Sequence, residues 1–293
     1  MTMNEGTDTK CEVCYSPYEG KHKEMFLSKG DMIAVIAPSS RPSREQTDIT
    51  MKGLEEWGYV PVGGSHVYDE ICTLQDVIDD FRWALEDPEI KAVFCVRGGY
   101  GASEVMDEIP LDLVQNSGKL IIGYSDITVM HAAWSCAGLP SVHSCMSGSF
   151  DGLAEECVNA EQALFSGTIP EYRCENNQYC KEGTGDGILI GGNLATFCSV
   201  LGSAYDVSRT DEPYIIFLED VGENFQHIHR YLTVLKHLGV LNKASGIVFG
   251  EWTEIPQDLA DYTGLSRGGT FESVADMISR QFLDDLDIPV AFG

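Results

Sequence analysis

Basic residues are scarce in this sequence. Nineteen lysines and arginines stand against 46 aspartates and glutamates, which gives a formal net charge of −27 at pH 7. Such a surface would repel the phosphates of nucleic acids and the headgroups of anionic membranes, so we expect no nucleic-acid and no membrane partner. The acids are spread along the chain rather than gathered in a tail, a pattern typical of a solvated surface.

Long apolar runs are also missing. No stretch is long enough to span a bilayer, so the sequence predicts no transmembrane helix. The opening residues contain no apolar core of the kind that a secretory signal needs, and we therefore expect a cytoplasmic protein. The chain has 293 residues, 43% of them hydrophobic, which is enough for two domains with cores of their own.

Familiar metal and cofactor motifs do not occur. There is no H-E-x-x-H pattern, and the glycine turn VRGGYG lacks the spacing of a dinucleotide fingerprint, so we expect no cofactor and no metal. The ten cysteines are scattered, several in apolar segments as Cys95 is, which favours free buried thiols over a disulfide scaffold. Cys11 and Cys14 form a lone C-x-x-C pair, which is either a metal or redox pair or incidental.

Apolar runs alternate with helical patterns along most of the chain. This order predicts parallel sheets covered by helices, and hence an α/β fold. We place an N-terminal extension at 1–29, an N-terminal α/β domain at 30–165, a linker rich in turn-forming residues at 166–187, and a C-terminal domain at 188–293.

The segment KLIIGYSDITVMHAAWSCAG, residues 119–138, contains a strand that turns into a helix without a loop. Ser125 stands at the junction. One interpretation is that Ser125 or Asp126 caps the helix. The other is that Ser125 is a nucleophile on a sharp turn above the sheet, although the G-x-S-x-G spelling is absent.

Two further strand ends carry candidate residues. Gly98 and Gly99 could bring backbone N–H groups close to an oxyanion or a carboxylate, or could form an ordinary turn. Glu219 follows the apolar run YIIFL, and a carboxylate there could orient a histidine as the acid of a catalytic triad does. Alternatively, Asp220 or Glu223 caps the next helix.

The sequence does not identify a catalytic base among its seven histidines. His131 lies in the helix that follows Ser125 and should point away from the Ser125 hydroxyl. His227, His229 and His237 fall on one predicted helix, where surface or packing roles are expected. A Ser-His-acid triad built on Ser125 therefore has no obvious histidine base in this sequence.

Six motifs taken in order resemble one known family. They are IAVIAPSS, VRGGYGASEVMDEIP, IIGYSDITVMHAA, GGNLATF, FLEDVGE and IPVAFG. From about Gly30 to its last residue the chain resembles the serine LD-carboxypeptidases, which comprise muramoyltetrapeptide carboxypeptidases and related microcin-immunity peptidases. The resemblance implies an N-terminal Rossmann-like layer with a mainly parallel sheet, a smaller C-terminal α/β domain, a cytoplasmic homodimer and no cofactor.

The resemblance also implies roles for individual residues. Ser125 matches the nucleophile, Glu219 matches the triad acid, and the amides of the Gly98–Gly99 turn and of Asp126 would form the oxyanion hole. Arg97, beside the glycine turn, could hold a substrate carboxylate, or could serve packing or a salt bridge. The reaction implied is attack on the carbonyl before a D-amino acid, followed by hydrolysis of an acyl-enzyme.

One departure concerns the catalytic histidine. In the family it follows the IPVAFG strand in a Gly-His motif, whereas this sequence stops at Gly293. Either the natural protein continues beyond this point, or it is a catalytically impaired relative. Three functions therefore stay open: an L,D-carboxypeptidase that acts on small muropeptides and releases D-alanine, a peptidase that detoxifies a peptidyl-nucleotide, and a muropeptide-binding protein without catalysis.

Overall fold

The computed structural model describes residues 2–4, 10–14, 25–150, 152–169, 171–175, 177–255 and 271–293. In chain order, the strands are β1 (Thr2–Asn4), β2 (Lys10–Cys14), β3 (Met32–Ile36), β4 (Val60–Gly63), β5 (Ile90–Cys95), β6 (Leu120–Gly123), β7 (Ser141–His143), β8 (Tyr172–Glu175), β9 (Ile188–Asn193), β10 (Tyr214–Val221), β11 (Gly246–Thr253) and β12 (Val290–Phe292).

The helices, again in chain order, are α1 (Arg44–Glu56), α2 (Leu74–Glu86), α3 (Ala102–Asp107), α4 (Leu111–Ser117), α5 (Thr128–Cys136), α6 (Ser147–Phe150), α7 (Glu155–Phe165), α8 (Leu194–Val200), α9 (Phe225–His237), α10 (Val240–Lys243) and α11 (Val274–Ile278). Short 3-10 helices cover Ser125–Ile127 and Val207–Arg209, and a π-helical turn, Ser279–Leu283, continues α11. None of the described helices is both long and apolar enough to cross a bilayer.

The chain divides into two compact units. Residues 17–170 and 202–207 form the unit that carries Ser125, which we name the serine unit. Residues 1–16, 171–201 and 208–293 form the unit that carries Glu219, which we name the glutamate unit. Each unit contains its own parallel sheet with helices, which confirms the predicted α/β fold class.

The sheet of the serine unit has five parallel strands in the order β4-β3-β5-β6-β7. Every residue from Ala92 to Cys95 in β5 is buried, so both faces of the sheet are covered. This burial explains why the strands read as continuous apolar runs. Because the strands are parallel, the loops after β3, β5 and β6 leave the sheet at one carboxyl edge, where open α/β sheets bind ligands.

Two helices of the serine unit begin with complete capping boxes. The Ser43 side chain accepts the Gln46 N–H and the Gln46 side chain accepts the Ser43 N–H at the start of α1. Thr73 and Asp76 make the same exchange at the start of α2. These exchanges satisfy N–H groups that the first helical turn leaves without partners, and they fix where each loop ends.

The sheet of the glutamate unit has four parallel strands in the order β12-β11-β10-β9. The β10–β11 pairing shifts register between Leu218 and Asp220, at the carboxyl end of β10. A separate antiparallel sheet joins β1, β2 and β8, with Cys11 opposite Cys174. Its strands come from segments in which the sequence analysis predicted only an extension and a linker; residues 1, 5–9 and 15–24 of that extension lie outside the described residues.

Candidate active site

Ser125 lies on a sharp turn between β6 and α5. Its φ of 64° puts a non-glycine residue in the left-handed region, directly after an extended Tyr124 with φ −147° and ψ −172°. Such a conformation is strained for a residue with a Cβ, and strained residues of this kind cluster at functional sites. The cap interpretation is wrong, because neither the 3-10 helix at 125–127 nor α5 has a side-chain cap hydrogen bond.

The Ser125 side chain is half-buried beside the glycine turn that follows β5. A Cβ placed on Gly98 would lie 2.9 Å from the Ser125 Cβ, 3.0 Å from its Oγ and 3.4 Å from the Met146 Cε. The Oγ makes no hydrogen bond to any residue in the described part of the chain. The hydroxyl is thus placed by its backbone and by close packing, not by a polar partner.

The glycine turn is held by the loop after β3. Gly99 has a φ of 114°, and a Cβ there would overlap the Ser40 Oγ. The N–H of the next residue, Tyr100, donates to that same Oγ at 3.1 Å. A residue with a side chain at position 99 would therefore be strained by its backbone and would displace Ser40.

Asp126 ties three loops of this edge together. Its buried Oδ2 accepts the Ser39 hydroxyl at 2.7 Å and the Ala102 N–H at 2.9 Å. The carboxylate thus joins the loop after β3 and the start of α3 to the turn at Ser125. From the sequence, Asp126 is expected to cap the following helix or to offer its backbone N–H to an oxyanion, and neither Ser39 nor Ser40 is expected at this edge.

Two backbone donors are available at the same edge. Within the described chain, neither the Gly99 N–H nor the Asp126 N–H donates a hydrogen bond to another residue. Both amides belong to turns that flank the Ser125 side chain. They are therefore free to bind an oxygen that develops negative charge beside Ser125.

Arg97 is exposed at the start of the glycine turn. Its Nη1 donates to the Arg41 carbonyl oxygen at 3.0 Å. No ion pair of Arg97 occurs among the residues that the structure describes, so most of its guanidinium donors face solvent. A planar guanidinium in this setting can receive a carboxylate with two parallel hydrogen bonds.

His131, from α5, supports the strand that leads to Ser125. Its Nε2 lies 2.9 Å from the Gly123 carbonyl oxygen, to which it donates. Burial disfavours the cation and lowers the pKa of His131 to about 4, so the imidazole is neutral at pH 7. As predicted, His131 does not contact the Ser125 hydroxyl; instead it holds the end of β6.

In the glutamate unit, Glu219 and Asp220 end β10 but differ in their surroundings. Asp220 is buried and accepts the Asn193 Nδ2 at 2.8 Å and the Ala195 N–H at 3.1 Å, which fixes the start of α8. Asn224 caps α9 by accepting the His227 N–H, so the interpretation of Asp220 or Glu223 as its cap is wrong.

In contrast, one oxygen of the Glu219 carboxyl group, the buried Oε1, accepts no hydrogen bond from the described residues. Burial, reinforced by the neighbouring Asp220 charge, raises the pKa of Glu219 to about 7. On the adjacent strand Gly250 presents no side chain, and a Cβ there would lie 3.2 Å from the Glu219 Cβ. A carboxylate of this kind is suited to accept a hydrogen bond from an imidazole.

Within the part of the chain that the structure describes, metal-ligating side chains converge at neither strand edge. Among the described residues, one group of side chains with metal-ligand chemistry converges: His66 and Cys72 on the loop between β4 and α2, and Asp76 in the first turn of α2. In the serine unit, the edge at Ser125 combines a hydroxyl with neighbouring backbone N–H groups, the groups that acyl transfer by a serine would use.

Comparison with protein families covers most of the chain. A model of the LD-carboxypeptidase N-terminal domain matches residues 33–144, and a model of the LD-carboxypeptidase C-terminal domain matches residues 186–293. A Bacillus subtilis protein named "probable murein peptide carboxypeptidase" is 33% identical over 237 residues, which cover 78% of this chain and 74% of the relative.

Solved structures share the fold. Muramoyltetrapeptide carboxypeptidase from Oxalobacter formigenes superposes with a TM-score of 0.74 at 24% identity, over 89% of this chain and 87% of the other. The microcin C7 self-immunity protein MccF, in complex with aspartyl sulfamoyl adenosine, gives a TM-score of 0.73 at 21% identity, over 92% of this chain and 88% of the other.

Proposed function

Since the chain belongs to the LD-carboxypeptidase family, we propose that it is a serine peptidase that hydrolyses an L,D-peptide bond of small muropeptides and releases the terminal D-alanine. The observation that carries this proposal is the strained Ser125, with a φ of 64° and a hydroxyl without a polar partner in the described chain. A helix cap would need no such strain.

The first step is nucleophilic attack by the Ser125 Oγ on the carbonyl carbon before the D-residue. The carbonyl oxygen becomes an oxyanion that the N–H groups of Gly99 and Asp126 stabilise. The leaving amine takes a proton and departs as the D-amino acid, and water then hydrolyses the acyl-serine ester. Arg97 binds the terminal carboxylate of the peptide, which would restrict cleavage to the chain end.

We assign the base of this reaction to a histidine held by Glu219. No described residue fills this role. The Gly293 N–H donates to the Phe249 carbonyl oxygen at 2.8 Å, which continues the β12–β11 pairing. This register places Gly293 opposite Gly250, so no side chain stands between the end of β12 and Glu219. An imidazolium there would stabilise the ionised carboxylate.

The test is release of D-alanine from a muramoyl tetrapeptide, measured by mass spectrometry. It compares this chain with a version that includes the residues encoded downstream of Gly293. We expect turnover by the longer version, loss of at least ~10⁴-fold with Ser125→Ala, and no cleavage of a tetrapeptide ending in L-alanine. A longer version that binds the peptide without cleaving it would instead favour a non-catalytic muropeptide-binding protein.

A peptidyl-nucleotide is the second candidate substrate. Trp252 is half-buried at the carboxyl end of β11, opposite Asp220 in register, and its Nε1 has no partner in the described chain. An aromatic ring at such an edge can stack on a nucleobase. Thermal stabilisation by aspartyl sulfamoyl adenosine but not by the tetrapeptide, and its loss in Trp252→Leu, would favour this candidate.

The resemblance also supports a cytoplasmic homodimer as the working form. Sedimentation of the purified chain at several concentrations tests the dimer, and cell fractionation tests the compartment. A monomer at micromolar concentration, or recovery in another fraction, would contradict these two assignments.

A further inference from the structure

The loop between β4 and α2, together with the first turn of α2, brings together three side chains of metal-ligand type. One potential ligand atom each from His66, Cys72 and Asp76 lies within 4.8 Å of the other two, and all three residues are half-buried. The His66 Nε2 lies 3.9 Å from the Asp76 Oδ1. Tetrahedral zinc bonds of ~2.0 to 2.3 Å place ligand atoms about 3.3 to 3.5 Å apart, so closure requires only a small movement.

The imidazole of His66 is already oriented for a ligand. The Asp69 Oδ2 lies 2.9 Å from the His66 Nδ1 and accepts its proton, which leaves the Nε2 lone pair facing Asp76. A carboxylate on the far nitrogen is the usual partner of a metal-bound histidine, because it fixes the tautomer and the ring plane.

The other two proposed ligands, Asp76 and Cys72, also make hydrogen bonds within this segment. The Asp76 Oδ2 accepts the Thr73 N–H and hydroxyl, both at 2.8 Å, so the Oδ1 is left to face His66. The Cys72 Sγ lies 3.6 Å from the His66 carbonyl oxygen. The loop itself is anchored, because the buried Asp80 accepts the His66 N–H at 3.0 Å.

The charge and chemistry of this cluster select a class of ion. Besides Asp76 itself, the carboxylates of Asp69 and Asp80 flank the cluster. The Arg41 guanidinium contacts its backbone, at the His66 and Asp69 carbonyl oxygens. A set of one nitrogen, one sulfur and one oxygen suits Zn²⁺ and disfavours Ca²⁺ and Mg²⁺, which prefer oxygen alone.

We propose that His66, Cys72 and Asp76 bind a zinc ion, with a water in the fourth position, and that Asp69 orients His66 by accepting its Nδ1–H. Zinc would fix this loop and, with it, Arg41, which donates to the His66 carbonyl oxygen. The Arg41 carbonyl oxygen in turn accepts the Arg97 Nη1–H. The ion would in this way stabilise the carboxyl edge of the serine unit, while its water position stays open.

The test is metal binding by the full chain. Chelator-stripped protein is titrated with Zn²⁺ by calorimetry, and Co²⁺ loading is followed by the thiolate charge-transfer band and the d–d bands of tetrahedral cobalt. We expect one ion per chain, with Asp69→Asn weakening binding by about 10- to 100-fold and Cys72→Ser or His66→Gln weakening it further. Circular dichroism verifies that each variant is folded.

Matched controls separate this site from other ligands of the chain. Cys136→Ser changes an exposed thiol of α5, Asp79→Asn changes an exposed carboxylate of α2, and Cys11→Ser/Cys14→Ser removes the C-x-x-C pair. We expect all three to bind as the parent chain does. The proposal is overturned if the parent chain does not bind one Zn²⁺ per chain. His66 would then serve as an ion-pair partner of Asp69 and Asp76. Binding that survives in Cys72→Ser or disappears in Cys11→Ser/Cys14→Ser also overturns the proposal.

Discussion

A Cβ atom on Gly98 would lie 2.9 Å from the Cβ of Ser125. Gly98 does not have a positive φ, so a left-handed backbone is not what requires glycine there. The need for glycine comes from the neighbouring side chain instead. The glycine turn after β5 and the serine turn after β6 pack directly against each other, so a substitution in one should shift the other.

Gly98→Ala should therefore displace the Ser125 hydroxyl and destabilise the serine unit by about 1–3 kcal/mol, as overpacking does. In the proposed reaction kcat should fall at least ~10-fold, since small misplacements of a reacting group are costly. Urea unfolding checks the stability. In a Ser125→Gly background the Ser125 side chain is absent, so Gly98→Ala should lower the free energy of unfolding much less. Equal losses in the two backgrounds would show that Gly98 and Ser125 are not in contact.

Ser125→Gly and Ser125→Ala should differ in stability, although both remove the hydroxyl that we propose as the nucleophile. Glycine accepts a φ of 64° without penalty whereas alanine does not, so the glycine variant should be more stable by about 1 kcal/mol. Lys52, exposed in the interior of α1, is the control: there glycine should be less stable than alanine by about 1 kcal/mol. Denaturant unfolding of the four variants checks the sign, and the same order at both positions would refute strain at Ser125.

The two parallel sheets and their strand ends were predictable because buried parallel strands are continuous apolar runs. The same logic placed Ser125 and Glu219 at strand ends without any structure. Local sequence could not decide between cap and nucleophile at Ser125, since both begin a helix with a small polar residue. The φ of 64° and the absence of a side-chain cap decide against the cap.

Features that depend on distant residues escaped the sequence analysis. The bond between Ser39 and Asp126 joins positions 87 residues apart, and nothing local marks it. The pairing of β2 with β8 connects two short polar segments on either side of a whole domain. His66, Cys72 and Asp76 follow no known ligand spacing, and only the turn that leads into α2 brings them together.

Asp126→Ala should destabilise the serine unit by about 2–3 kcal/mol. It leaves the Ser39 hydroxyl and the Ala102 N–H buried without their shared acceptor. Asp126→Asn keeps an oxygen that can accept both bonds, so its loss should be smaller. Thermal unfolding checks the order, and the double variant Ser39→Ala/Asp126→Ala should be less destabilised than the sum of its parts. Additive losses would show that the carboxylate does not bridge the two loops.

Glu219 should make this chain less stable as the pH rises from 4.5 to 7. Its pKa is about 7 in the folded chain and 4.5 as a free side chain, so between these values the folded state keeps a proton that the unfolded state has lost. The stability that the protonated carboxyl provides is complete below pH 4.5 and disappears as the pH passes 7. The decline should be about 2 kcal/mol after allowance for partial exposure.

The variant Glu219→Gln isolates this contribution, because Asp220 and Asp80 also have raised pKa values and give the parent chain a slope of the same sign. Glutamine stays neutral at every pH, so the variant should match the parent at pH 4.5 and exceed its unfolding free energy by about 2 kcal/mol at pH 8. Glu251→Gln, an exposed change on β11, should leave the difference near zero throughout. Urea unfolding at several pH values measures it. If the difference between Glu219→Gln and the parent stays constant over this range, the pKa of Glu219 is not raised in the folded chain. The prediction would then be wrong.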